Sequence, residues 1–170
     1  MQNCNSFIGI GEVGLMKVLI VYDTVSPSKL TGTVAQTIGE TLKEKGVEVE
    51  SFYVGDVDKS TVKNYECLIA GGPTMAFRPS KGIDEFLRSL SGEEFKGKRA
   101  AAFDTQMKRA MSGNAAKGIE KKLKSLDFSI FKEPLVVYVE GAGKNMWQFK
   151  TGELDKAKGW ALEAAKALSE

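Results

Sequence analysis

Short apolar segments alternate with amphipathic segments from residue 17 to the end of the chain. The first of them is continuously apolar, which is typical of a strand that is covered on both faces. The predicted strands are 17–22, 47–53, 66–70, 98–103 and 135–139. Apolar residues that recur every three to four positions predict helices between and after these strands. The predicted helices are 31–45, 83–90, 116–126 and 154–168, with a short helical turn within 56–65.

The alternation of strands and helices predicts an α/β fold. Five strands of this kind form a three-layer sandwich, in which one parallel sheet has helices on both faces. Right-handed crossovers leave few topologies, and the strand order 2-1-3-4-5 places the first, third and fourth strands at the centre. A length of 170 residues fits a single domain, which we expect at 16–170. The leader 1–15 lacks the basic start and long apolar core of a signal peptide, and we expect a disordered tail.

Composition excludes several classes of function. The formal net charge of +2 is too small for a typical nucleic-acid-binding protein, and no segment is long and apolar enough to cross a membrane. The chain contains no histidine, which removes histidine-dependent triads and most catalytic zinc or di-iron sites. We therefore expect no nucleic-acid partner, no membrane partner and no bound metal. Two cysteines, with Cys67 inside an apolar strand, indicate a reducing cytoplasm.

Polar residues with hydroxyl groups follow the first strand, immediately before the first helix. The residues are Thr24, Ser26, Ser28 and Thr31, and Lys29 adds a positive charge. Hydroxyl groups and free backbone N–H groups at a helix N-terminus suit a phosphate, because the helix dipole favours negative charge there. The alternative interpretation is that these hydroxyls only cap the helix and form a turn.

The segment 71–79, with the sequence GGPTMAFRP, follows the third strand. Its two glycines allow the backbone to approach a ligand closely, and its two prolines stiffen its ends. Met75, Ala76 and Phe77 lie at the expected tip of this loop, where apolar side chains would otherwise face water. A flat aromatic ring system would cover them. The alternative is that the loop packs on its own domain or on a neighbouring molecule.

The segment 104–114 follows the fourth strand and is long for such a connection, which indicates a function. The alternative interpretation is a solvated, charged turn. All three loops are expected at the carboxyl edge of the sheet, where open α/β sheets bind ligands. A phosphorylated aromatic cofactor is therefore the leading hypothesis.

Residues 16–170 resemble the flavodoxin family, the short-chain FMN-binding electron carriers. The resemblance depends on VLIVYDT with the hydroxyl-rich loop and helix after it, on GGPTMAFRPSKGIDEFL, and on FDTQ followed by SGNAAKGIEKKL. It implies a flavodoxin-like fold, noncovalently bound FMN and redox partner proteins as electron donor and acceptor. The first loop departs from the family's T-x-T-G-N-T pattern, since it is longer and lacks its glycine and asparagine.

The resemblance also implies which residues contact FMN. Its phosphate would be bound by Thr24, Ser26, Ser28, Lys29, Leu30 and Thr31. Its ribityl chain and ring would contact Pro73, Thr74, Met75, Ala76, Phe77 and Arg78, with Asp104, Thr105, Gln106, Ser112 and Gly113 opposite. No residue is expected to act as an acid, base or nucleophile, because the flavin supplies the redox chemistry.

Two other functions remain open. The first is an FMN-dependent NAD(P)H:quinone or flavin reductase on the same fold, in which Arg78, Lys108 and Arg109 would bind an anionic nucleotide. The second is a binding module that has lost the flavin, which the altered first loop suggests. A phosphate-accepting receiver domain is disfavoured, because Asp23 has no acidic neighbour at the end of the first strand.

Overall fold

The computed structural model describes residues 16–109, 111 and 113–170. Within them the strands are β1 (Lys17–Tyr22), β2 (Glu48–Tyr53), β3 (Cys67–Met75), β4 (Arg78–Pro79), β5 (Arg99–Met107), β6 (Ser129–Ile130), β7 (Leu135–Gly143) and β8 (Met146–Phe149). The helices are α1 (Leu30–Glu44), α2 (Lys81–Ser89), α3 (Ala115–Ser125) and α4 (Glu153–Ser169), with 3₁₀ helices at Lys59–Asn64 and Glu93–Phe95. The leader predicted at 1–15 lies outside the described residues.

The strands form one sheet in the order β2-β1-β3-β5-β7-β8. The first five of these strands are mutually parallel, so the predicted order 2-1-3-4-5 is confirmed. The predicted sheet was incomplete at its edge, where β8 pairs antiparallel with β7. Asn145 adopts a positive φ of 57° in the turn between them, which lets the chain reverse direction. The short strands β4 and β6 add to β3 and β5.

Both faces of the sheet are covered by helices, which confirms the three-layer sandwich. Alternate residues of β1 face opposite layers: Ile20 packs with α1 and α4, whereas Leu19 packs with α2 and α3. All four central residues of β1 are fully buried, as its continuous apolar sequence predicts. None of the helices in the described part of the chain has the length and apolar character that a membrane span requires.

Three strands, β3, β5 and β7, extend further than the sequence predicts, and β3 and β5 do so together. The loops expected from residues 71 and 104 begin as strand, because the parallel ladder between β3 and β5 continues through Gly72↔Asp104 and Pro73↔Thr105. Gly71 makes this pairing possible: a Cβ atom there would lie 2.2 Å from the Phe103 ring. The two central strands therefore carry their terminal residues rigidly to the carboxyl edge of the sheet.

Candidate functional site

A cleft of about 710 Å³ opens at the carboxyl edge of the sheet. Its walls are the loop between β1 and α1, the ends of β3 and β5, and the β7–β8 hairpin. In the sheet, β1 lies between β2 and β3, so the direction of the strand order reverses between β1 and β3. The cleft lies beside this topological switch point. Its volume is within the usual range for small-molecule sites.

The first loop supplies one wall of the cleft. Of the six residues predicted there, four line the cleft: Thr24, Ser26, Leu30 and Thr31. Lys29 borders a different groove, and as the N-cap residue of α1 it has a left-handed backbone (φ 50°). Ser28 also lies outside the lining, because its hydroxyl accepts a hydrogen bond from the backbone N–H of Trp147 at 2.8 Å.

The hydroxyl groups of this wall do not cap α1. The helix begins at Leu30, and its N-cap residue Lys29 makes no side-chain hydrogen bond to the first turn. The Thr31 hydroxyl instead contacts that of Thr105 at 2.7 Å. The hydroxyls of Thr24 and Ser26 have no hydrogen-bond partner among residues 16–109, 111 and 113–170. Since the first N–H groups of a helix lack intrahelical partners, this wall presents unused donors to the cleft.

The second wall is a β-hairpin, not the irregular loop that the sequence predicts. β3 and β4 pair through Met75↔Arg78, and the turn between them is formed by Ala76 and Phe77 at φ 45° and 71°. Two successive positive φ values characterise the type I′ turn that joins hairpin strands. Five of the six residues predicted here line the cleft; Arg78 does not, and its side chain is exposed. The five are Pro73, Thr74, Met75, Ala76 and Phe77.

Gly113 packs against the backbone at the tip of this hairpin. It forms a β-bridge with Phe77, and a Cβ atom at Gly113 would lie 2.4 Å from the Phe77 Cα. Its φ of 73° is also a conformation that favours glycine. Gly113 therefore positions the tip of the hairpin and does not itself line the cleft. The neighbouring Ser112, predicted beside it, lies outside the described residues.

Asp104 is buried behind the hairpin wall and does not line the cleft. Its carboxylate accepts hydrogen bonds from the Thr74 hydroxyl and the Gln106 amide, both at 3.1 Å, and from the Ala116 backbone N–H, also at 3.1 Å. Burial raises the pKa of Asp104 to about 6, although these hydrogen bonds act in the opposite direction. The carboxyl group thus joins β3 and β5 to the first turn of α3, a bracing role and not the ligand contact predicted from the sequence.

Asp23, which directly follows β1, is a second buried carboxyl group at this edge, like Asp104. It is buried and accepts hydrogen bonds from the Ser80 hydroxyl at 2.6 Å and the Thr24 N–H at 2.8 Å. The absence of a side chain at Gly82 leaves room for this carboxylate, since a Cβ there would lie 2.6 Å from it. Asp23 therefore fixes the start of the first loop against the N-terminus of α2.

The third segment and the β7–β8 hairpin complete the lining. Thr105 and Gln106 line the cleft, as Thr24 and Thr74 do on the walls opposite. Several lining residues were not predicted as FMN contacts; they are Val25, Pro27, Met107, Arg109, Met111, Val139, Asn145 and Trp147, of which Arg109 was predicted only for the alternative reductase. The turn residues 141–145 and the alternation in 146–149 were the signal that could have identified the hairpin. Arg109 is the one charged residue among the described lining residues.

Comparisons with known proteins were made at the level of sequence and of structure. No family model matches the chain, and no curated protein matches it significantly. A flavodoxin from the domain Archaea matches at 21% identity and a TM-score of 0.69, over 91% of this chain and 100% of that one. Flavodoxin 1 from Bacillus cereus matches at 19% identity and a TM-score of 0.71, over 88% and 97%.

A part of a longer protein also has a fold similar to that of this chain. The rubredoxin oxygen:oxidoreductase of Desulfovibrio gigas matches at 21% identity and a TM-score of 0.70, over 90% of this chain but only 36% of that one. The strand order, the helices on both faces and these similarities agree. The chain therefore has the flavodoxin-like fold.

Proposed function

We propose that this chain binds FMN in the cleft and carries electrons between redox partner proteins. The observation that supports this most directly is that an unused set of hydroxyl and N–H donors and an apolar hairpin tip form two walls of one cleft. These are the two chemical requirements of a phosphorylated aromatic cofactor. The position of the cleft at the switch point agrees with where this fold class binds nucleotides.

The phosphate of FMN would lie against the first wall. Thr24 and Ser26 have hydroxyl groups that are not used within the described structure, and Leu30 and Thr31 lie in the first turn of α1. The N–H groups of that turn and the helix dipole favour a dianion. This arrangement needs neither the glycine nor the asparagine of the flavodoxin pattern, because the N–H donors come from the helix itself.

The isoalloxazine ring would lie against the apolar walls. Met75 and Phe77 are 47% and 60% exposed although they are large and apolar, and a flat ring would cover such surface. Trp147 provides a second aromatic side chain on the hairpin β7–β8. Thr105 and Gln106 offer polar atoms at the end of β5 between these walls.

Electron transfer requires little further chemistry from the protein. Bound FMN supplies the redox chemistry, whereas the chain binds and orients it. The described lining residues include no aspartate, glutamate or cysteine. The electron donor and acceptor would be separate proteins. Cys67 is a buried free thiol whose pKa is raised by burial, which agrees with a cytoplasmic location.

Titration of the purified chain with FMN and with riboflavin tests this proposal. We expect FMN to bind more tightly than riboflavin by tenfold or more, about 1.4 kcal/mol, because only FMN has the phosphate. The double variant Thr24→Val/Ser26→Ala should remove most of this preference and leave riboflavin affinity nearly unchanged. Failure of both flavins to bind would contradict the proposal and favour a flavin-free binding module.

A reductase is the second candidate, and Arg109 is the observation in its favour. A cation in the cleft lining can bind the phosphates of NAD(P)H. Mixing NADPH with the FMN-loaded chain, in the absence of other proteins, separates the two functions. Rapid loss of the flavin absorbance band would identify a reductase, whereas an electron carrier would remain oxidised.

A further inference from the structure

The mouth of the cleft carries a concentration of exposed apolar side chains. Among the described residues, eight large apolar side chains are exposed, and five of them are on the walls of the cleft or beside it. We call these five the apolar rim: Val25 (52% exposed), Met75 (47%), Phe77 (60%), Met111 (79%) and Met146 (46%). Exposed apolar side chains concentrated at the mouth of one cleft mark an interaction site.

Positive charge surrounds the same mouth. We define the basic collar as Arg78, Lys108, Arg109 and Lys144; Arg109 lines the cleft, and the other three are each adjacent in sequence to a lining residue. All four are exposed. Arg78, Lys108 and Lys144 form no ion pair with any residue of 16–109, 111 or 113–170, although Lys108 lies 5.6 Å from the centre of the Tyr138 ring.

The acidic side chains of the described residues near this edge form no ion pair with Arg78, Lys108 or Lys144. Asp23 and Asp104 are buried within their hydrogen-bond networks. Glu153 pairs with Lys156 at 2.5 Å, and Glu140 accepts a hydrogen bond from Gln148. With a net charge of only +2, the whole chain has little long-range field. The local collar must therefore provide any electrostatic attraction.

We propose that the apolar rim and the basic collar together form a docking surface for an acidic protein. The collar would accelerate the approach of a negatively charged partner, and the part of the rim that bound FMN leaves exposed would provide the buried contact once the partner arrives. Three of the five rim residues are methionines, whose flexible side chains adapt to more than one partner surface. The proposal rests on the proposed function, because an electron carrier must bring its cofactor close to a partner.

The charge and shape favour a protein over a membrane. The rim surrounds a concave cleft and comes from four separate segments, whereas surface-bound membrane anchors are continuous amphipathic helices. An anionic lipid surface is nevertheless attracted by the same collar, so it must be an outcome of the test.

The test measures electron transfer to the FMN-loaded chain from a reduced acidic [2Fe–2S] ferredoxin. In each event the cluster loses one electron and the bound FMN gains it, so the cluster iron is oxidised as the flavin is reduced. Stopped-flow rates are measured from about 10 mM to about 1 M salt, over which the Debye length falls from about 30 Å to about 3 Å. Cytochrome c, a basic electron acceptor, is the probe of opposite charge. For this probe the FMN-loaded chain is first photoreduced, and the rate at which it reduces cytochrome c is measured.

The decisive variant is Arg78→Glu/Lys108→Glu/Lys144→Glu. Its control, Lys45→Glu/Lys96→Glu/Lys166→Glu, changes the net charge equally with exposed residues at the other edge of the sheet. We expect the collar variant to slow the reaction with ferredoxin by about tenfold or more at low salt and to accelerate the reaction with cytochrome c. The control should change both rates far less, and all differences should vanish at high salt.

The remaining outcomes are distinguishable. Equal effects of the two triple variants would overturn the proposal, since net charge and not the collar would then set the rate. Cosedimentation of the chain, but not of the collar variant, with phosphatidylserine vesicles would replace the protein partner by a lipid surface. If FMN does not bind, the proposed function fails. Docking is then measured separately, as the binding of ferredoxin to the flavin-free chain by surface plasmon resonance. Binding by the wild-type chain that is lost in the collar variant supports the docking proposal. Absence of binding by the wild-type chain overturns the docking proposal.

Discussion

The two edges of the sheet differ in how their charged groups are arranged. At the amino edge, Lys17 pairs with Glu48 at 3.7 Å and with Glu50 at 3.2 Å, and it lies 4.9 Å from the centre of the Tyr65 ring. Glu50 also accepts a hydrogen bond from the Tyr65 hydroxyl. At the carboxyl edge, Arg78 has no such partner within the described structure. The charge of Lys17 at the amino edge is therefore satisfied internally, whereas that of Arg78 at the carboxyl edge is presented to solvent.

The aromatic residues differ in the same way. Phe95 and Phe128 stack near the amino edge, with their ring centres 5.0 Å apart, and both are buried. Phe77 at the carboxyl edge is 60% exposed, and its backbone adopts a φ that is unfavourable for a bulky residue. Strain and exposed apolar surface are concentrated where a ligand would relieve them. The described aromatic pair at the amino edge is thus part of the core, whereas the tip of the hairpin at the carboxyl edge combines exposed apolar surface with backbone strain.

The largest expected effect contrasts two phenylalanines. Phe95→Ala should lower the free energy of unfolding by about 4 kcal/mol, because it removes a buried ring. Phe77→Ala should lower it by less than about 1 kcal/mol, because the side chain is mostly exposed, yet it should weaken FMN binding about tenfold. Urea denaturation and flavin titration measure the two effects. Equal losses of stability in the two variants would remove the distinction between the edges.

The second prediction concerns Asp104, the buried carboxyl group of the carboxyl edge. Its pKa rises from the ordinary 3.8 to about 6 in the folded chain, so the native state binds a proton more tightly than the unfolded state does. Its favourable contribution is complete below about pH 4 and is lost as the pH rises through about 6. The difference of about two pH units corresponds to about 3 kcal/mol.

Asp104→Asn isolates this contribution, because asparagine cannot ionise. Urea denaturation from about pH 4 to about pH 7 should show wild-type stability declining relative to the variant as the pH rises. Parallel curves for the two proteins would mean that Asp104 ionises at the same pH in the folded and unfolded states.

The sequence alone predicts those strands and helices whose buried residues form a recognisable local apolar pattern. The continuous apolar run of β1 and the spacing of Val34, Ile38 and Leu42 in α1 identify their elements without knowledge of the partners. The five-strand order followed from the few topologies that right-handed crossovers allow and from the order common to this fold class. The extension of β3 through Gly72 and Pro73 was missed, because these residues indicate a loop locally and only the register with β5 makes them strand.

The site was predictable to the extent that it follows from strand ends. The three loops after central strands predict where the cleft lies. Whether a given side chain faces the cleft depends on hydrogen bonds to residues that are distant in sequence. The Ser28 hydroxyl is occupied by the backbone of Trp147, 119 residues away, and Asp104 is occupied by the start of α3. Trp147 itself was missed because it depends on the antiparallel return of β8 beyond the last predicted strand.

The third prediction compares two glycines with similar backbones at opposite edges. Gly113 has a φ of 73° and Gly97 a φ of 77°, so alanine should cost each about 1 kcal/mol of conformational strain. A Cβ at Gly97 meets no atom within 4 Å, whereas one at Gly113 meets the backbone of Phe77. Gly113→Ala should therefore weaken FMN binding by about tenfold, and Gly97→Ala should not. Equal FMN affinity in the two variants would show that the tip of the hairpin does not contact the flavin.

The smallest expected effect concerns Ser28, which joins the first loop to β8. Ser28→Ala removes the acceptor of the 2.8 Å hydrogen bond from the Trp147 N–H. Because the site is only partly buried, water replaces this partner and the free energy of unfolding should fall by about 1 kcal/mol or less. Ser89→Ala is the control, since it also removes one hydrogen bond, to the Phe86 carbonyl, but lies far from the cleft in the last turn of α2.

What distinguishes the two serine variants is the position of Trp147. In a Trp160→Phe background the remaining tryptophan emission reports on Trp147 alone, because Trp147 and Trp160 are the two tryptophans of the chain. FMN should quench this emission in the parent, and Ser28→Ala should reduce both the quenching and the FMN affinity by a few-fold while Ser89→Ala changes neither. Equal quenching in both variants would mean that β7 alone positions β8. The first loop would then bind the phosphate without influencing the aromatic wall beside it.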